Sequence, residues 1–483
     1  MSLRGADVLA RTLAAAGVRH LFALSGNHVM PVFDAALDAK LSLVHVRHEA
    51  AAVHMADAWG RLTGEPGVAL VTAGPGHANA LGALYTALAA ESPMVLVSGH
   101  APLDELGKGA FQEMPQAELA APLTVASWTV KSAHAVGADV ARALREARKG
   151  PVHLSVPNDV LDARTQSKVP DDFSLPKKTQ AKDLDALLGA KRPLVIAGPA
   201  AARVRAGRED AFPLIGMESP RGVNDPSLGK LDEILPQADV VLLLGKKLDF
   251  SLKFGKALAP DCRIMRAERD VTLPAPRESQ RAWLDEVRAA LRYRPAQWQE
   301  MQGTLHPVVV CREVQKLLAA PDAVLVSDGG EFGQWAQACL EAPRRIINGP
   351  AGSIGSALPF AAAAKLAFPD APVLALMGDG TFGFHMSELD TAVRYGLDYI
   401  AVVGNDACWN AEYQIQLRSS GKERARGLDL LPTRYGAVAA AMGAHGEDAS
   451  SVEELKAALQ RAATSGKPAL VNVFIERAAA PRY

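Results

Sequence analysis

Short apolar runs, each closed by glycine, proline or a polar residue, alternate along the chain with longer stretches of helical periodicity. In the first third the runs are His20–Leu24, Leu41–Val46, Ala69–Thr72, Met94–Ser98 and Val152–Val156. Leu194–Ala197, Val240–Leu244 and Arg263–Arg266 follow, and then Ala323–Ser327, Val373–Met377, Ile400–Val403 and Leu470–Phe474. Strands of this length, apolar on both faces and separated by helices, predict parallel sheets covered on two sides. The fold class is therefore α/β, with doubly wound sheets. Residues 164–182, rich in Lys, Asp, Ser and Pro, read as a linker, and a second polar stretch, RPAQWQEMQGTLHP, begins at Arg294. Three domains result: 1–163, a short middle domain 183–293, and 294–483. No short-period repeat or low-complexity tract interrupts them.

Composition narrows the function classes. The chain has 483 residues, more than one core accommodates. Lys and Arg number 52 against 53 Asp and Glu, a net charge of −1, which argues against nucleic acid or an acidic membrane as partner. No apolar run reaches membrane-spanning length. The amino terminus, with Asp7 and Arg11 among Val8, Leu9 and Leu13, fits a first amphipathic helix better than a signal peptide. Four dispersed cysteines form no CxxC pair, so a cytoplasmic location without structural zinc is expected.

The richest stretch is GDGTFGFHMSELDTAVRYGLDYIAVVGNDACWNAE, Gly378 to Glu412. Gly-Asp-Gly closes one apolar run and Asn405-Asp406 closes the next, with a helical stripe of Leu389, Val393 and Leu397 between them. That places oxygen-bearing side chains at the carboxyl ends of two parallel strands, the edge at which open α/β sheets bind ligands. Two such groups beside glycine N–H groups suit a divalent cation holding a diphosphate.

The stretch resembles the cofactor motif of thiamine diphosphate (ThDP) enzymes, which runs from Gly-Asp-Gly to Asn-Asn. The resemblance covers nearly the whole chain: a pyrimidine-binding domain, a middle domain and a diphosphate-binding domain. It is closest to the acetolactate synthase, benzaldehyde lyase and 2-oxo acid decarboxylase branch. It implies ThDP and Mg²⁺ as cofactors. The metal would be held by Asp379, by Asp406 in place of the usual second Asn, and by the Cys408 carbonyl. A one-residue slip of register would substitute Asn405 for Asp406. Gly378, Gly380 and Thr381 would line the diphosphate. In GPAGSIGSALPF, Ile354 matches the apolar wedge that bends the cofactor, and the Gly352 carbonyl would accept from its exocyclic amine.

Further residues gain roles by the same resemblance. Glu49, in VRHEAAAVHMADAWGRLTG, is by itself a helix-start carboxylate. In the family, a Glu in this context holds a proton at the pyrimidine ring and so promotes formation of the reactive ylide, which calls for a carboxyl in a dry site. His28, in LSGNHVM, matches an active-site His of benzaldehyde lyase and is a candidate proton shuttle. Gln112 matches a pocket Gln that would hold a carbonyl oxygen. Trp409, Asn410 and Glu412 should face the substrate, and Glu412 matches a functional Glu of pyruvate decarboxylase. The segment from Gln414 to Leu431, without pattern, is expected to order only with cofactor. The middle domain lacks a dinucleotide fingerprint, so FAD is not expected. The Arg-rich RVRAGRE, Arg203 to Glu209, reads as an exposed charged face.

The implied activity is a carbon–carbon bond lyase or carboligase acting on a small carbonyl substrate, a 2-oxo acid or 2-hydroxy ketone, through ylide and enamine intermediates. It would be a homodimer or homotetramer with sites at subunit interfaces. The alternatives are a 2-hydroxyacyl-CoA lyase or oxalyl-CoA decarboxylase-like enzyme, and a non-catalytic ThDP-binding regulatory protein.

Overall fold

A computed structural model describes residues 2–171, 173, 184–204, 212–269, 271 and 273–482. Among them lie three parallel sheets, as the alternation of runs predicts. The first has six strands in the order Ser42–His45, His20–Ala23, Gly67–Val71, Met94–His100, Val152–Pro157, Ala126–Thr129. The third has six in the order Arg344–Ile347, Val324–Ser327, Val373–Gly378, Ile400–Asn405, Ala469–Phe474, His445–Ala449. Both sheets share one winding, with the strand order reversing between their first and third strands in sequence. That switch point opens a crevice at the carboxyl edge. In the first sheet the crevice lies after Ala23 and Val71, and in the third after Ser327 and Gly378. The middle sheet is smaller, ordered Leu214–Gly216, Pro193–Ala197, Val240–Leu244, Arg263–Ala267.

Four strands escape the apolar-run reading: Ala126–Thr129, Leu214–Gly216, Arg344–Ile347 and His445–Ala449. Each is an edge strand, and an edge strand tolerates polar residues. Arg164–Thr165, read as the start of a linker, pairs instead with Leu3–Arg4 as a two-stranded antiparallel ribbon on the first domain. Most of the remaining linker lies outside the described residues. The helical stripe after Gly378 is two helices, Asp379–His385 and Glu388–Tyr395, the second closed by Gly396 at φ +62°. The stretch read as unpatterned forms a helix, Asn410–Ser420, and then bonds back to the strand end through Trp409 N–H to the Leu428 carbonyl (2.8 Å) and Leu430 N–H to the Ala407 carbonyl (2.8 Å).

The outer domains share one core. Helix Glu49–Thr63 of the first packs on helix Ala357–Ala367 of the third, and alanines on both let the backbones approach closely. Phe22, Leu84, Phe360 and Tyr399 are fully buried in this joint cluster. Polar ties frame it. The Glu388 carboxylate accepts from the Arg47 N–H (3.0 Å) and from the Thr391 hydroxyl (2.5 Å). The Tyr395 hydroxyl accepts from the His45 N–H and donates to the Leu43 carbonyl.

The middle domain is fastened to both neighbours. Arg203 is no exposed charged face: its guanidinium donates to the Ala90 and Glu91 carbonyls at 2.9 Å. Residues 205–209 of that Arg-rich segment lie outside the described residues. Arg221 pairs with buried Glu331 at 3.0 Å, and the same carboxylate accepts from the Ala480 N–H.

Candidate active site

The first half of the site lies at the carboxyl edge of the first sheet. Glu49 begins its helix, with His48 as cap through Nδ1 accepting from the Ala50 N–H (3.1 Å). The Glu49 carboxylate is buried and accepts from the Asn79 amide at 3.0 Å. Gly76 faces it so closely that a Cβ there would lie 3.4 Å from its Oε1. His28 follows the first strand in sequence, is 2% exposed and sits 3.5 Å from the Thr72 hydroxyl. Burial and the nearby His100 lower the His28 pKa, so its imidazole is neutral at physiological pH. The Gln112 side chain and the Phe111 backbone hydrogen-bond to the ring and partly oppose that shift. Phe111, 68% exposed, stacks on it at 5.9 Å. Gln112 takes a left-handed conformation, φ +58°.

The second half lies at the carboxyl edge of the third sheet. Gly378 pairs in register with Gly404, which brings the strand ends carrying Asp379 and Asp406 side by side. The Asp379 carboxylate accepts from the backbone of Gly380, Cys408 and Ala407, yet its Oδ2 is buried without a partner. Burial raises its pKa to about 6. Asp406 is raised to about 7, first by burial and then by the charge of Asp379. Asn405 is differently engaged. Its amide donates to the Thr433 carbonyl (2.9 Å) and to Asn472 (3.1 Å), and its oxygen accepts from the Ala407 N–H (3.2 Å).

The wedge candidate Ile354 rests on Gly329, where a Cβ would come within 2.6 Å of its Cγ2. Buried Asp328 anchors that loop, accepting from the Gly355 N–H (3.0 Å), the Ala357 N–H (2.8 Å) and the Ser356 hydroxyl (3.2 Å). Gly352 adopts φ +72°. Thr381 is buried, while Gly380 packs under the Trp409 ring, which a Cβ would meet at 2.6 Å. The Cys408 thiol, pushed up to about 11 chiefly by burial, stays protonated. Glu412 is exposed in the first turn of its helix.

The structure thus brings Glu49, His28 and Gln112 to one sheet edge, and Asp379, Asp406, Cys408 and Ile354 to the other. Among the described residues no hydrogen bond, ion pair or ring contact joins the two groups. Nor does any cluster of three or more His, Cys, Asp or Glu side chains present itself for a metal; the two aspartates would need backbone and ligand oxygens to complete a shell. Asn79 and Thr72 were missed by sequence reasoning; the turn that begins at Asp328 was expected to cover the phosphates, and its carboxylate instead anchors the Ile354 loop. The positions of Asn79 and Thr72 depend on tertiary contacts, and a lone Asn or Thr carries no signal.

A buried carboxylate at a helix start thus stands at one sheet edge, and the pair of buried Asp379 and half-buried Asp406 at a second. Residues 3–119 match the thiamine pyrophosphate enzyme N-terminal TPP binding domain, and residues 328–473 match the C-terminal TPP binding domain. The acetolactate synthase large subunit IlvG of Mycobacterium tuberculosis is 32% identical over 98% of this chain and 96% of its own length. The human 2-hydroxyacyl-CoA lyase 2 is 29% identical over 98% of this chain and 90% of its own length. The acetolactate synthase large subunit of Parasynechococcus marenigrum is 27% identical over 99% and 88%. The chain belongs to the thiamine pyrophosphate enzyme family, and it is a ThDP-dependent enzyme with lyase or carboligase chemistry.

Proposed function

We propose that this enzyme makes or breaks a carbon–carbon bond next to the carbonyl of a 2-oxo acid or 2-hydroxy ketone, using ThDP and Mg²⁺. The carrying observation is the Asp379–Asp406 pair. A buried carboxylate oxygen without a protein partner, beside a second, half-buried carboxyl, is a donor arrangement that a cation would satisfy. The donor set fits Mg²⁺, a hard ion that takes oxygen ligands and keeps others from a phosphate. Asp406 is the better second ligand, because the Asn405 amide is already spent on Thr433, Asn472 and Ala407. The Cys408 carbonyl would complete the protein's share.

When bound, the cofactor supplies the nucleophilic carbon and the electron sink. The protein supplies the rest. Glu49, buried and fixed by Asn79, would hold a proton against the cofactor's pyrimidine. Ile354, stiff and braced on Gly329, would hold the cofactor's bend. Neutral His28 can accept a proton from a substrate hydroxyl, and Gln112 can donate to a developing oxyanion. Glu412 is a candidate for proton exchange at the substrate carbon if another chain covers its exposed face. We propose that the site is completed between two copies, in a homodimer or a homotetramer.

Product analysis after incubation with pyruvate, benzoin and a 2-hydroxyacyl-CoA tests the reading. Acetolactate from pyruvate, or benzaldehyde from benzoin, is expected. The likeness to proteins named 2-hydroxyacyl-CoA lyase 2 favours a second reading, and release of a free aldehyde from the thioester alone would select it. Failure of all three, or failure to bind ThDP, would sink the proposal.

A further inference from the structure

The residues that face the cofactor do not account for one buried amide. Gln116 opens the short helix Gln116–Ala120 and is 1% exposed. Its Oε1 accepts from the Gly74 N–H at 2.9 Å. Its Nε2 donates to the Gly99 carbonyl at 2.9 Å and to the Ser155 hydroxyl at 3.1 Å. Both amide hydrogens and one oxygen lone pair are thus in use.

The partners are specific to the site. Gly74 lies at φ +58°, ψ −112°, and a Cβ on it would meet the Gln112 carbonyl oxygen at 2.7 Å and the Gln112 Cβ at 2.9 Å. Gly74 is therefore the surface on which Gln112 rests. A Cβ on Gly99 would meet the His28 Cβ at 2.7 Å and the His28 carbonyl oxygen at 2.8 Å. Gly99 is the surface on which His28 rests. One side chain bonds to both, and Ser155, fully buried on the adjacent strand, anchors it to the sheet.

Neither wall is held by its own side chain, since both are glycines. The loop that carries Gln112 has its own internal support: Glu113 accepts from the Gly107 N–H (2.5 Å), the Ala110 N–H (3.1 Å) and the Gly109 N–H (3.2 Å). It also meets His28 directly, through the stacked Phe111 ring. Among the described residues, Gln116 alone bonds to both glycine walls.

We infer that Gln116 is a positioning residue whose buried carboxamide sets the separation of Gln112 and His28, and through it proton delivery to the substrate. The inference rests on the proposed roles of those two side chains. A displacement on the order of 1 Å at such a pair costs about 100-fold in rate. Gln116 touches neither substrate nor cofactor, so its effect must pass through the pair.

A double-mutant cycle on the ThDP- and Mg²⁺-loaded enzyme tests this. Gln116→Met keeps the length and removes all three hydrogen bonds; Gln116→Glu keeps the shape and the acceptor but loses the donor to Gly99. Each is expected to lower kcat about 10- to 100-fold, with the ThDP Kd changed less than about 3-fold. In a His28→Ala background the same change should cost less than about 2-fold, and the limb of the pH–rate profile assigned to His28 should shift in the single variants. Losses that multiply in the double variant, or a ThDP affinity that falls as far as kcat, would mean a general structural role and overturn the inference. If Gln116→Met does not fold, the Gln116→Glu cycle alone decides between the two. Full activity of both His28→Ala and Gln112→Ala would instead refute the roles given to the pair, an outcome distinct from multiplying losses.

Discussion

Asp379 keeps one carboxylate oxygen buried and partnerless, and the charge of Asp379 reaches Asp406. Without metal the folded state holds protons that the unfolded chain has already lost, from about pH 4 up to about 6 for Asp379 and about 7 for Asp406. Stability contributed by these groups is therefore present at low pH and is lost as pH rises through that window. Taken relative to an Asp406→Asn variant, thermal stability of the metal-free protein should fall as pH rises from about 4 to about 7. Mg²⁺ with ThDP should raise the midpoint more at about pH 7 than at about pH 5. Equal shifts at both pH values would count against the aspartates as the cation site. For Glu49→Gln, turnover should fall by at least about 100-fold while the far-UV spectrum is unchanged. Near-normal turnover would remove Glu49 from the mechanism. The aspartates stood out in sequence because Gly-Asp-Gly and Asn-Asp close two apolar runs, whereas Glu49 stood out only through the family resemblance. Asn79, which fixes Glu49, and Gln116 did not, since their partners lie 30 and 42 residues away.

At the scale of elements, the strands that pass through the middle of each sheet were readable, because burial on both faces leaves them apolar throughout. Edge strands such as Arg344–Ile347 and His445–Ala449 were not, since charged residues interrupt their apolar run. The break between helices Asp379–His385 and Glu388–Tyr395 also escaped notice, as the stripe of Leu389, Val393 and Leu397 begins only after it. Buried Glu388, just past that break, ties the third domain to the Arg47 backbone. Replacing it with Ala should cost about 1.5–3 kcal/mol, the range for buried hydrogen bonds to a charged group, and calorimetry should show a lowered first transition. An unchanged thermogram would mean that the alanine-rich helix pair alone holds the domains. The turn at Gly380 is equally constrained. Gly380→Ala drives a methyl into the Trp409 ring and should weaken ThDP binding by about tenfold or more in a calorimetric titration. Unaltered affinity would show that the ring gives way.

At the scale of the whole molecule, one chain carries two crevices of the same winding, each equipped with half of a cofactor site. The sequence showed three blocks of alternating apolar runs, and the shared winding of the first and third emerged only from their strand order. The relative placement of the two domains was not visible, because the shared core, not local pattern, sets it. Two copies would complete each other, and specific activity should fall on dilution as the assembly dissociates. Complementation tests this account most directly. Glu49→Gln and Asp406→Asn chains, each inactive alone, are unfolded or dissociated together and reassembled in equal amounts with ThDP and Mg²⁺. Random pairing places one intact site in half of the dimers, so about a quarter of wild-type activity should return. A mixture that stays as inactive as its two components, with mixed dimers demonstrated, would contradict a site shared between subunits.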